Sequence, residues 1–175
     1  MKGIRISYTS REQVEVYRFS WPVSIGLPLA MVGLQAFAPV RLAFLRPFDF
    51  GLLLTIFFAI SRRSPVSGLL TGAFIGLLQD CLTSTPFGVF GIAKTLVGYG
   101  ARSIGVAIDV ENPSTRFLMT FVFYVLHLGV VLATEHWLVG QQIHFNLGHE
   151  TGMAVVNALM AVFLFSLLNR LKIRV

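Results

Sequence analysis

Two ionisable side chains stand where few are tolerated: Asp80 ends one apolar stretch and Lys94 lies inside the next. A charge at mid-bilayer costs roughly 2.5–3.5 kcal/mol on insertion scales, so such groups turn inward and find partners. The turn between their helices falls around Thr83 to Pro86, which sets Lys94 about 12 Å below it at about 1.5 Å per residue. Asp80 is much shallower, yet a Lys side chain snorkelling outward can reach it from a neighbouring helix. An Asp80–Lys94 pair with Gln79 beside it is therefore expected. It would serve either as an architectural ion pair or as a polar pocket for a headgroup or partner. The same stretch carries Gly68, Gly72 and Gly76 at steps of four, with Asp80 at the next step. Such a row forms one smooth groove that lets another helix approach closely. Two uses fit: packing within a bundle, or reception of a partner's transmembrane helix or a lipid.

Catalytic patterns are missing. There is no GxSxG, HExxH, P-loop or dinucleotide fingerprint. His127 lies inside an apolar stretch, with Glu135 and His136 near its end. His144 and His149 are five apart, which is not the spacing of a helical zinc site. These histidines read as hydrogen-bonded interface residues, and Asn157 and Asn169 as interhelical glue. The single Cys81 excludes an intrachain disulfide and a cysteine metal cluster. No catalytic residue, metal or cofactor is expected.

The elements that must hold these groups are greasy helices. Of 175 residues, 55% are hydrophobic and only 13% charged, with a mean hydropathy of +0.75. Soluble domains carry about 25% charged residues, so this chain lacks the polar surface of a water-soluble globule. The net charge of +6 could suggest nucleic acid. Its distribution points instead to lipid headgroups and topology, because the basic residues sit at the ends of apolar segments and no basic run is interleaved with aromatics.

A spanning helix needs about 20 mostly apolar residues. Six stretches qualify or nearly do: Trp21 to Val40, Leu45 to Ile60, Pro65 to Leu82, Phe87 to Ile108, Thr115 to Val139 and Gly152 to Leu171. The second is short, bounded by Arg46 and Asp49 on one side and by Arg62 and Arg63 on the other. Residues 1–20 are too polar for a cleavable signal and form a juxtamembrane segment. Within it, Ser10 and Gln13 at capping-box spacing, then Val14, Tyr17 and Trp21, predict a short helix on the leaflet surface. Residues 21–171 form the membrane domain and 172–175 a tail. With a cytoplasmic amino terminus, eleven Lys and Arg residues lie inside, Arg41 and Arg46 outside, and Lys94 within a span. That bias places both termini in the cytoplasm.

One ordered set of motifs resembles a known family. It begins Arg46-Pro47-Phe48-Asp49 and continues, after an apolar run, with Arg62-Arg63-Ser64-Pro65. The glycine row then leads into Gly76-Leu77-Leu78-Gln79-Asp80, followed by Pro86-Phe87-Gly88 and Lys94-Thr95-Leu96-Val97-Gly98-Tyr99. This pattern is similar to that of the rod shape-determining protein MreD family, whose members share a Pro-Asp entry, a Gly-rich helix ending in Gly-Leu-x-x-Asp, and a Leu-Gly step. Here Phe48 separates Pro47 from Asp49, and Phe87 replaces the common Leu before Gly88. The close likeness covers about a third of the chain.

The resemblance implies an all-α integral membrane protein of the bacterial inner membrane. It would be a compact bundle of six transmembrane helices, resembling the substrate-binding subunits of energy-coupling-factor transporters. It further implies a non-enzymatic scaffold of the elongation machinery for peptidoglycan synthesis. Such a scaffold binds the bitopic partner MreC and, indirectly, MreB, RodA and a class B penicillin-binding protein, with membrane lipids around it and room for a homo-oligomer within the complex. The rival reading is a substrate-binding subunit of a vitamin-type transporter. It draws on Asp80, Lys94, Gln79 and the polar segment holding Gln141, Gln142, His144 and Asn146.

Overall fold

The stretch from Phe50 to Ser61 is apolar on every side, and a helix without a polar face is stable only when surrounded. In the computed structural model it is surrounded. Described are residues 17–18, 21–37, 41–61, 64–105, 108–140, 146–171 and 173–174. Six helices run in chain order: α1 (Trp21–Phe37), α2 (Phe50–Ser61), α3 (Pro65–Thr83), α4 (Val89–Gly105), α5 (Pro113–Thr134) and α6 (Leu147–Leu168). A π-helical turn, Glu135–Val139, prolongs α5.

Helix α2 is the hub, packing on all five others, with its residues buried from Phe50 to Ala59. Around it α1 packs on α3, α3 on α4, α4 on α5 and α5 on α6. Leu52, Leu53, Phe57 and Phe58 of α2 meet Val32, Ile75, Val97, Phe123 and Phe165 in the core. Twelve residues span only about 18 Å. That is short of the roughly 30 Å hydrocarbon thickness, but a hub sheathed in protein need not match it. The expected start at Leu45 is therefore corrected: residues 43–45 form a 3-10 turn, and α2 begins only after Asp49, which accepts from the Leu52 amide at 2.8 Å.

The other helix starts follow local chemistry. Ser64 caps α3 by accepting from the Ser67 amide, and Pro65 takes the first helical position, where its missing N–H costs nothing. Asn112 caps α5 ahead of Pro113 in the same way. Asn146 accepts from Gly148 and His149, so α6 starts five residues before the expected Gly152. Tyr17–Arg18 and Ile173–Arg174 pair as a two-residue antiparallel ladder, which sets the segment ahead of α1 beside the segment that follows α6. Tyr17 is thus in a strand rather than the expected juxtamembrane helix; the rest of that helix, residues 10–16, lies outside the described residues, as do Gln141, Gln142 and His144.

Much of the surface is apolar, and polar and charged side chains are buried among the apolar core. Leu118 and Val122 of α5, Leu159 and Phe163 of α6 and Leu70 of α3 are exposed, whereas Asp80, Lys94, Arg102, Arg116, His127 and Asn157 are buried. Water would invert that distribution, and lipid accepts it. Helices α3, α5 with its π turn, and α6 are long and apolar enough to cross a membrane. Helices α1 and α2 are shorter apolar helices, and α4 carries Lys94 and Arg102 inward. The protein is an all-helical membrane bundle.

Candidate functional site

The glycine row of α3 faces α4 at backbone distance. A methyl group at Gly68 would fall on the Gly98 carbonyl, at Gly72 on the Lys94 carbonyl, and at Gly76 on the Phe90 carbonyl. Gly98 returns the contact against the Gly68 carbonyl. Of the two uses expected for the groove, packing within the bundle is the one found. The groove is filled by α4 and offers no room to a helix from another chain.

Close packing of α3 on α4 places Asp80 beside the start of α4. Its carboxylate accepts from the amides of Gly88 at 2.9 Å, Phe90 at 2.9 Å and Gly91 at 3.0 Å. These are amides that a helix start leaves without intrahelical partners, and a carboxylate there also complements the helix dipole. Gly88 adopts φ +102°, a conformation that L side chains rarely enter, which turns its N–H onto Asp80. The expected Asp80–Lys94 ion pair is therefore corrected. Asp80 is committed to backbone donors, and Lys94 turns to another helix entry. Asp80→Ala should strip three amides of their acceptor and lower stability by about 1–3 kcal/mol, read as a lower thermal midpoint in mild detergent.

Lys94 is fully buried, and its Nζ donates to Asp49 Oδ2 at 2.8 Å. The same Nζ lies 3.2 Å from His127 Nε2 and 5.0 Å from the centre of the Phe90 ring, which stacks on the His127 imidazole. Gln35 of α1 donates to Asp49 Oδ1 at 3.3 Å and accepts from the Gly51 amide at 3.0 Å. Asn157 of α6 accepts from the Asp49 amide at 2.8 Å and donates to the Pro47 carbonyl at 2.7 Å. Gln79 of α3 completes the set: a methyl at Gly51 would lie 2.6 Å from its Oε1 and 3.1 Å from Lys94 Cε. One polar knot thus draws on all six helices. A buried lysine keeps its charge only beside an opposite charge and satisfied donors, and Asp49 supplies the charge.

Of the residues singled out in the sequence, Lys94, Gln79 and Asp49 meet in this knot, while Asp80 stays outside it. Pro47 enters through its carbonyl and Pro65 opens α3. Leu77 rests over Gly91, and Tyr99 is half exposed on the outward side of α4. Gln35 is a single amide near the end of an otherwise apolar stretch and carries no motif that marks it, and His127 was legible only as an interface residue. Its one local signal is an imidazole placed mid-way along an apolar helix.

A family model for the rod shape-determining protein MreD matches residues 15–171. The chain belongs to the MreD family. The match runs through all six helices of this MreD-family bundle, from before α1 to the residues after α6. No curated protein and no solved structure matches the chain. The likeness to energy-coupling-factor subunits therefore has no structural match behind it. As a member of the MreD family the chain is a rod-shape-determining membrane protein, and the knot and the glycine seam are the devices that hold its helices in place.

Proposed function

We propose that this MreD-family protein is a non-enzymatic scaffold of the cell-elongation machinery in the bacterial inner membrane, binding a single-span MreC-type partner. Through that partner it would meet MreB filaments, RodA and a class B penicillin-binding protein. The observation that carries the reading is the family match across residues 15–171. The internal chemistry agrees with it, because Asp49, Asp80, Lys94 and Asn157 are all spent on joining helices rather than poised toward a substrate. With the α3 groove filled, a partner helix is left the lipid-facing surface. The pairing of Tyr17–Arg18 with Ile173–Arg174 supports a shared side for both termini, and the Lys and Arg bias argues for the cytoplasm.

Photo-crosslinking residues at Leu29 of α1, Leu70 of α3 and Phe163 of α6, all exposed, test this in native membranes. A single-span partner should co-purify in mild detergent and crosslink from one of these faces and not from the others. Purification without any such partner, and no crosslink from any face, would overturn the scaffold. The transporter reading draws on Gln79 Oε1, a buried acceptor without a hydrogen-bond partner among the described residues. A vitamin-like molecule raising the thermal midpoint of the purified protein would favour it.

A further inference from the structure

Arg116 stands in the first turn of α5, where the helix dipole is positive and a cation is disfavoured. It is also buried, with 8% of its surface exposed. Its partners are neutral: Nε donates to the Val110 carbonyl at 2.8 Å and Nη1 to the Ser166 hydroxyl at 3.0 Å. These bonds tie the α4–α5 connection to α6. Among the described residues no carboxylate pairs with the guanidinium. Asp109 and Glu111, the acids nearest in sequence, are exposed, and Asp109 Oδ1 accepts from the Glu111 amide. A guanidinium has five N–H groups, and only two are used here. Its Nη2 is neither bonded among the described residues nor enclosed, so that edge reaches the surface.

Helix length sets the level of that edge. From Pro113 to Val139, α5 and its π turn run 27 residues, about 40 Å against a hydrocarbon thickness of about 30 Å. About 5 Å at each end then stands among headgroups, and Arg116, one turn after Pro113, lies at that border. Ser166, in the last turn of α6, is at the same level and exposed. Arg170 follows one turn later and is exposed as well. Toward the bilayer interior, Leu159 and Phe163 leave an apolar strip open along α6.

We propose that Arg116 and Arg170 bind the phosphate of an anionic phospholipid at the end of the bundle where α5 begins and α6 finishes. Ser166 donates to the Val162 carbonyl, so its role is to orient Arg116 by accepting from Nη1. The outward guanidinium edge presents parallel N–H groups to two phosphate oxygens, a match that an ammonium cannot make. Arg170 adds a second positive charge, which favours a headgroup with no cation of its own over a zwitterionic one. The acyl chains lie along Leu159 and Phe163. The bound phosphate supplies the counter-charge that Arg116 lacks within the chain, at a helix end that attracts anions.

The test uses the full chain in mild non-ionic detergent, titrated with dioleoyl phosphatidylglycerol and read by native mass spectrometry and by thermal midpoint. One lipid should bind saturably and raise the midpoint. Arg116→Lys keeps the charge and loses the fork, and should weaken binding about tenfold, as the loss of one charge-assisted hydrogen bond does. Arg170→Gln, an exposed change, should weaken it about threefold. Arg46→Gln removes the same charge at the opposite end of the bundle and should leave binding unchanged. Equal affinity for dioleoyl phosphatidylcholine would overturn the site, as would undiminished binding to both the Arg116 and the Arg170 variants. Inorganic phosphate giving the same shift at the same concentration would mark a free-anion site instead. A loss from Arg46→Gln as large as that from Arg116→Lys would reduce the effect to unspecific charge. If Arg116→Lys does not fold, Arg170→Gln and the comparison of lipids decide.

Discussion

Gly72→Leu should abolish recovery of monodisperse protein, and Gly72→Ala alone should lower the thermal midpoint in detergent by the equivalent of about 3 kcal/mol. Overpacking a close contact costs typically about 1–3 kcal/mol and more when nothing can give way. Here the atom in the way is the Lys94 carbonyl, part of a helix backbone, so the two helices themselves must separate. Separation unseats Gly68 from Gly98 and Gly76 from Phe90 on the same seam, and moves the amides of α4 away from Asp80. Gly33→Ala on α1 is the control. No atom lies within 4 Å of the position its Cβ would take. That change should stay within about 0.5 kcal/mol of the parent, as surface substitutions do. Equal loss from the two alanines would refute the seam.

Lys94→Met is the second large effect, a loss of about 3–5 kcal/mol. That is the range for removing one member of a buried pair and leaving its partner charged and alone. Asp49 would be that partner, largely enclosed by Gln35, Asn157 and the start of α2. Adding Asp49→Asn should recover most of the loss. An amide oxygen still accepts from Leu52, and no charge is then stranded beside the apolar Met. Denaturant unfolding of the two single variants and the double variant measures the coupling. A double variant as weak as the sum of its singles would mean that the pair does not act as a unit.

Both predictions turn on contacts that sequence patterns do not name. The row Gly68, Gly72, Gly76 announces a close helix approach, but it reads the same whether the approaching helix is the chain's own or another's. Likewise Lys94 announces a buried partner. The nearer carboxylate along the chain is Asp80, yet the geometry of α4's first turn draws Asp80 to three amides, and Lys94 pairs 45 residues away with Asp49. The shortness of the stretch before Arg62 was legible as well. Its meaning was not, since a short apolar helix can be thin, tilted or enclosed, and only the ring of five neighbours shows that it is enclosed.

Hydropathy, basic flanks and an ordered set of short motifs by themselves determined that this chain folds as a bundle of six helices suited to a membrane and belongs with rod-shape determinants. Those signals are local, set by how each stretch partitions between water and lipid and by a few turn and capping residues. Tertiary structure alone decided which charge Lys94 meets, what fills the glycine groove, and that α2 is the hub. Lipid gives all helix faces nearly equal apolar surroundings. The choice among pairings therefore falls to backbone fit and to scattered polar contacts, such as Gln35 with Gly51 and Asn157 with Pro47, whose members lie 16 and 110 residues apart.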